Sequence, residues 1–353
     1  MRRSLAWNAR RKSGIVSAVP KPVVAVLIER RVQEMVLDEA IRAEMESHFS
    51  VRWPGAAGEL KSADAVELLR DAEGCMTGWE SPRLSAEVLQ QARRLKVVAH
   101  SAGSVKHIVS DELWRRGILV TSAAAQNAID TAQFAVALMV IARKNMMELA
   151  DPSTLSANWR AKKGHRRPDD LRGCTVGVVG ASRVGRSVLR LLAAFEVRRL
   201  VYDPLLGGEQ AWELGAEKVE LDELFRRSEV VSLHAPALPE TRHMVNAARL
   251  ALMKDGAVLI NTARGSLVDH GALAAELRRR RIWAFLDVLD PEPPAPDAPV
   301  FGCPNLTITP HLAGAVGRSQ KRLGRSALEE LKRFFAGQPP LYAVKPETLA
   351  YSA

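Results

Sequence analysis

Short runs of apolar and β-branched residues recur along this chain. Between them lie longer stretches whose apolar positions return every three or four residues. The runs PVVAVLI (22–28) and LKVVAH (95–100), with EGCMTGW (73–79) between, have the length and bounding turn residues of strands buried on both faces. SADAVELLRDA (62–72) has helical spacing, and Ser62 is placed to cap it. DELWRRGILVTSAA (111–124) reads as a helix, a stop at Gly117 and a further strand. Strands alternating with helices predict a parallel sheet, because parallel neighbours need a crossover between them.

A helical pattern then runs over 130–149. Its apolar stretch FAVALMVIA (134–142) is shorter than the roughly 18 residues of a spanning helix, so it is expected to be buried in a protein core. A loop rich in Ser, Lys, Arg and Pro follows over 150–170. A second series of six apolar strands begins at CTVGVVG (174–180) and continues through RRLVYDP, EVVSLHAP, AVLINTA, WAFLDV and LTITPH. An amphipathic helix at about 317–335 closes the pattern and is expected to return to the first unit.

With 353 residues the chain can form two domains with cores of ordinary size. Charged residues make up 25%, and the net charge is +10. Such a charge suits a small anionic ligand or a nucleic acid. The basic residues cluster only near the N-terminus and at RRRR (278–281), and aromatics are 5%, so a scattered arginine surface is preferred and no nucleic-acid or membrane partner is expected. Three widely spaced cysteines, Cys75, Cys174 and Cys303, form no metal-ligand pattern. No metal is expected, the thiols are expected to be free, and the expected location is the cytoplasm. Residues 1–19 carry five basic residues and no acid and are read as a disordered tail or a misassigned start.

The stretch GASRVG (180–185) differs from Gly-x-Gly-x-x-Gly only at Ser182. In a dinucleotide site Gly180 would make the tight turn and Gly185 would let helix and strand approach. Ser182 adds a Cβ, but its hydroxyl can donate to a phosphate, as can neighbouring Arg183. The loop alone would also suit a strand–turn–helix without ligand. Asp203, 18 residues after Gly185 at the end of the next strand, favours the ligand. A carboxylate there accepts from ribose hydroxyls and repels a 2′-phosphate, so NAD is expected rather than NADP.

The segment from LHAPALPETRHMVN through NTARGSLVDHGALAAEL (233–277), then LDVLDPEPP (286–294) and LTITPHLAG (306–314), closely resembles the D-isomer-specific 2-hydroxyacid dehydrogenase family. The likeness extends over about 20–344. It implies an α/β fold of two Rossmann-like doubly wound domains. One is a flavodoxin-like substrate domain, 20–125 plus 314–353. The other is an inserted NAD-binding domain, 126–313. Members are usually homodimers paired largely through the cofactor domains, and the apolar helix near 130–149 resembles the element used there.

The resemblance assigns Arg264 to the substrate carboxylate, His311 to proton transfer and Glu292 to orienting the imidazole. These residue types suit the chemistry: a guanidinium grips a carboxylate with two parallel bonds, and a carboxylate stabilises a protonated imidazole beside it. The same resemblance places Gly180, Ser182, Arg183, Val184, Gly185, Asp203, His234, Ala235, Pro236, Thr241, Thr262, Ala263, Asp287 and His311 around the cofactor, and Ala102 and Gly103 of HSAGSV (100–105) at the substrate carboxylate. His48, His107, His165, His243 and His270 are read as structural, and His100 is left open. The chain departs from the family pattern at GASRVG, and at DTAQF (130–134) where VAEH is common. The implied activity is hydride transfer between NAD(H) and a small 2-hydroxy or 2-oxo acid; the alternative is an NADH-sensing, corepressor-like binding protein with the same residues.

Overall fold

The structure is a computed structural model that describes residues 20–55, 58–150, 152, 155–161 and 167–351. The expectations for residues 1–19 and for His165 concern positions outside them. Two separate all-parallel sheets organise the chain. The first contains β1 (Val23–Leu27), β2 (Ser50–Arg52), β3 (Gly74–Thr77), β4 (Val97–His100) and β5 (Leu119–Ser122), in the spatial order β2-β1-β3-β4-β5. This is the flavodoxin-like order. The second contains β6 (Thr175–Val179), β7 (Arg198–Tyr202), β8 (Glu217–Lys218), β9 (Val230–Leu233), β10 (Val258–Asn261), β11 (Trp283–Leu286) and β12 (Leu306–Ile308). Its order, β12-β11-β10-β9-β6-β7-β8, is that of a Rossmann sheet with one added edge strand.

The central strands are β-branched and apolar because helices cover both of their faces. Val24 and Val26 face one side of the first sheet, Ala25 and Leu27 the other, and all four are fully buried. The chain crosses between the sheets twice. The first crossing is the helix Ala124–Arg143, whose Ala132, Ala135, Val136 and Met139 pack with Val176, Val178 and Ile260 of the second sheet. By length and composition alone that helix could span a membrane; here its apolar side is a core face. The second crossing follows β12 and leads to the helix Arg318–Phe335. Its Ala327, Leu328 and Leu331 pack on Val24 and Val26. The chain then adds residues 342–344 to the exposed edge of β5, where Ser122 N–H donates to the Tyr342 carbonyl (3.2 Å) and Val344 N–H to the Val120 carbonyl (2.8 Å).

Four expectations need correction. The joining helix spans Ala124–Arg143, not 130–149; it stops where Asn145 takes a left-handed φ of 52°, and Met146–Leu149 is a separate turn. The second sheet has seven strands rather than six, and the first has an extra edge strand, β2. Ser62 is the first residue of its helix, not its cap; Asp64 reaches back to accept the Lys61 N–H at 2.8 Å. The expected loop at 150–170 contains the helix Leu155–Ala161.

Candidate active site

The glycine-rich turn lies where the order of the second sheet reverses, between β6 and β9. Gly180 has φ +95°, and a Cβ there would stand 2.6 Å from the Ala235 nitrogen. A Cβ on Gly185 would lie 1.9 Å from the Gly180 carbonyl oxygen. Both positions therefore require glycine. Ser182 does not obstruct the turn. It is the N-cap of the helix Arg183–Leu191, and its hydroxyl oxygen accepts the Gly185 N–H at 3.3 Å. Its own O–H hydrogen remains free to donate. Arg183 is exposed at the helix N-terminus, and Val184 is half-buried behind it. The positive end of the helix and these donors suit a pyrophosphate.

Asp203 stands at the end of β7, half-buried. Its two oxygens accept the N–H groups of Ala181 (2.7 Å) and Leu205 (2.8 Å). The carboxylate is thus fixed beside the glycine turn. Across the turn, His234 is buried after β9, and its Nε2 meets the Ser232 hydroxyl at 2.9 Å. Burial pushes its pKa down to about 3, so the ring is neutral. Ala235 is buried and Pro236 half-buried. Thr241 closes this loop by donating to the Pro236 carbonyl (2.7 Å) and accepting the Leu238 N–H (2.9 Å). The buried Nδ1 of His234 and Oγ1 of Thr262 have no partner among the described residues. Orphaned polar atoms in a glycine-lined cradle fit a dinucleotide.

Arg264 lies in the turn after β10. Asn261 holds that turn: its amide donates to the Arg264 carbonyl (2.9 Å), and its Oδ1 accepts the Ala263 N–H (3.0 Å). Gly265 lets the turn meet the loop after β11, since a Cβ there would lie 2.0 Å from the Leu289 carbonyl carbon. That loop carries Glu292. Its Oε2 is 2.8 Å from His311 Nδ1, and its Oε1 accepts the Leu289 N–H at 3.2 Å. The pair is open, with side-chain exposures of 53% for His311 and 39% for Glu292. Arg264 is mostly buried, which lowers its pKa, while the Glu292 charge acts the other way.

His311 has a left-handed φ of 50°, a strained conformation for a side chain with a Cβ. Asp287 supplies the restraint. Its carbonyl accepts the His311 N–H (2.9 Å), and its buried carboxylate accepts from the Thr309 hydroxyl (2.5 Å) and the N–H groups of Leu312 and Ala313 (2.9 Å each). The structure thus gives Asp287 a positioning task that the sequence did not disclose.

The loop 100–105 follows β4. Ala102 is buried, and Ser122 donates to the Gly103 carbonyl at 2.6 Å. His100 is buried against Thr77 (3.0 Å) and edge-on to His107, and burial pushes its pKa down to about 3. His48 and His243 are exposed, and His270 is half-buried. Asn127 went unnoticed in the sequence. It sits in the first turn of the joining helix, and its Oδ1 accepts the Ala315 N–H at 2.8 Å. A Cβ on Gly314 would lie 2.8 Å from that oxygen, and one on Gly103 3.6 Å from the Asn127 nitrogen. One amide therefore bonds to the segment following His311 and lies beside the loop after β4. The signal available was a polar residue in the first turn, one of several before the apolar stretch of the helix.

Among the described residues, no group of three or more His, Cys, Asp or Glu side chains is placed to hold a metal ion. All three cysteines are buried and unpaired. Of the run 278–281, Arg278, Arg279 and Arg280 are exposed and Arg281 is half-buried; Arg281 meets Glu276 and the carbonyls of Leu250 and Met253, Arg279 meets Glu276, and Arg278 meets the Pro299 carbonyl.

Residues 136–313 match the family described as D-isomer specific 2-hydroxyacid dehydrogenase, NAD binding domain. The chain belongs to this family. Its cofactor is a nicotinamide dinucleotide. It is 33% identical to a glyoxylate reductase of Korarchaeum cryptofilum over 92% of this chain and 96% of that one. It is 35% identical to a D-3-phosphoglycerate dehydrogenase of Archaeoglobus fulgidus over 74% of this chain but 49% of the relative. The chain thus spans about half the length of the phosphoglycerate dehydrogenases it matches. A Thermus thermophilus protein of known structure superposes with TM-score 0.72 at 31% identity, over 92% of this chain and all of that one. D-mandelate dehydrogenase of Rhodotorula graminis, at 24% identity, shares the fold with TM-score 0.78 over 92% of this chain and 98% of that one.

Proposed function

We propose that the chain is an NAD-dependent oxidoreductase that interconverts a small 2-oxo acid and its D-2-hydroxy acid. The observation that carries this reading is the His311–Glu292 pair at 2.8 Å, held on the same rim as Arg264. In this reading residues 126–313 bind the cofactor, and 20–125 with 314–353 bind substrate. Gly180, Ser182, Arg183, Val184 and Gly185 hold the pyrophosphate. Asp203 accepts from the ribose and disfavours a 2′-phosphate. His234, Ala235, Pro236, Thr241, Thr262, Ala263 and the Asp287 region wall the cleft. When bound, the nicotinamide supplies a hydride to the substrate's carbonyl carbon.

Arg264 binds the substrate carboxylate through its fork and draws charge toward the carbonyl, while the amides of Ala102 and Gly103 take the remaining lone pairs. Glu292 occupies Nδ1 of His311, which leaves Nε2 to carry the transferred proton. As the carbonyl accepts the hydride, that proton moves to its oxygen; in oxidation His311 takes it back.

The test is NADH consumption over a panel of 2-oxo acids. The parent should turn over at least one of them and should prefer NADH to NADPH. His311→Ala should lower kcat by roughly 10²–10⁴-fold while still binding NADH. Full activity in that variant would remove His311 from its role; NADH binding without turnover of any acid would point to a sensor instead. We also read the exposed Ile129 of the joining helix, with Met146 and Met147 of the turn that follows it, as a contact with a second copy, so a sedimentation profile of monomers at micromolar concentration would exclude a homodimer.

A further inference from the structure

Ser122, the last residue of β5, is buried against the loop that follows β4. Its Oγ accepts the Ala124 N–H at 3.0 Å, an ordinary local use of a serine hydroxyl. An N–H can only donate, so the single hydroxyl hydrogen is left for an acceptor. It goes to the neighbouring loop, where Oγ lies 2.6 Å from the Gly103 carbonyl oxygen and 3.4 Å from that of Ala102. A local turn explains the bond to Ala124. It does not explain donation to residues 19 and 20 positions earlier. The peptides 102–103 and 103–104 are trans, and a trans peptide points its N–H opposite to its C=O. Two successive carbonyls gathered on one hydroxyl therefore leave the N–H groups of Gly103 and Ser104 together on the other face of the loop. Both residues are half-exposed, and these N–H groups donate to nothing among the described residues. Successive N–H groups turned the same way form a concave anion site. Ser122 is itself held from behind. Its N–H donates to the Tyr342 carbonyl at 3.2 Å, and the N–H groups of Leu341 (3.1 Å) and Tyr342 (3.4 Å) donate to the buried carboxylate of Glu330.

We propose that Ser122 is a positioning residue for substrate binding: its hydroxyl orients the loop 102–104 so that the amides of Gly103 and Ser104 meet the substrate carboxylate together. This rests on the dehydrogenase reading above and adds the Ser104 amide to the donors of that loop. Ser122 transfers no proton and touches the substrate only through the loop. Its loss therefore falls on capture of the acid rather than on hydride transfer.

The experiment measures KM, kcat and the NADH Kd in the parent, Ser122→Ala and Ser122→Thr. The substrate is the acid that the parent turns over fastest in a panel of 2-oxo acids including glyoxylate, pyruvate and hydroxypyruvate. Ser122→Ala should raise KM by roughly 3–10-fold, the value of one hydrogen bond, while kcat and the NADH Kd stay within about twofold of the parent. Ser122→Thr keeps the hydroxyl and should bring KM back toward the parent value. A merely structural loss would shrink the folded fraction, which lowers the apparent kcat and leaves KM where it was. A parent-like KM in Ser122→Ala, a raised KM that Ser122→Thr does not bring back, or equal rises in KM and NADH Kd would each overturn the inference while the dehydrogenase reading stands. If the parent turns over no 2-oxo acid, both fall.

Discussion

His234 shows how single residues here are set by their surroundings. It is buried, and its ring is kept neutral with a pKa near 3, against an ordinary value of 6.5. In the unfolded chain the ring takes up a proton as pH drops below about 6.5, but the folded protein cannot follow. Stability is therefore unaffected by this group above that pH and is lost progressively between about 6.5 and 3. His100, depressed by burial and by His107, acts in the same direction. Urea midpoints measured at about pH 7.5 and 5 should show the loss, and His234→Gln should show a smaller one; equal slopes in both proteins would mean that His234 titrates freely in the folded state. The sequence made the residue types at the site legible. It did not reveal their partners. Asp287 reads in sequence as one more acid near a cofactor, yet its carboxylate bonds to groups 22–26 residues away. Such a partner set exists only once β11 and β12 lie side by side.

At the scale of elements, most strands that proved legible are those buried on both faces, because burial demands an unbroken apolar run; β12, a half-buried edge, was legible from its β-branched residues. The two missed strands are edges. Both residues of β8, Glu217 and Lys218, are exposed, and β2 has a half-buried pattern, so neither needs an apolar signature. The loops that carry chemistry follow β10, β11 and β12, and their mutual fit depends on close backbone approach. Gly265 is the test of that fit, since any side chain there collides with the backbone at Leu289 and Asp290. Gly265→Ala should destabilise the protein by about 1–3 kcal/mol through overpacking and move the Arg264 turn away from Glu292. The expected signature is a raised KM for the 2-oxo acid with little change in NADH affinity, because the glycine turn at Gly180 lies on a different strand. A parent-like KM would show that the two loops adjust independently.

For the whole molecule, the question is how two sheets, each with its own core, keep one cleft in register. The two crossings answer it. They come together at Asn127, whose oxygen holds the Ala315 N–H while its nitrogen lies against the position of Gly103. The same amide thus touches the segment leading from His311 and the loop proposed to bind substrate, so it sets their separation. The two halves of this link can be cut separately. Asn127→Asp keeps the acceptor for Ala315 and removes the donor beside Gly103. Asn127→Ala removes both and leaves a gap over Gly314. If Asn127 positions the loops, Asn127→Asp should chiefly raise KM for the 2-oxo acid, whereas Asn127→Ala should also lower kcat by roughly tenfold or more, as small displacements at a reacting centre do. NADH affinity should hold in both, since the glycine turn does not touch Asn127. Equal losses of stability, KM and kcat in the two variants would instead make the residue a plain packing contact of its helix, and the register of the cleft would have to come from the packing of the helices Ala124–Arg143 and Arg318–Phe335 alone.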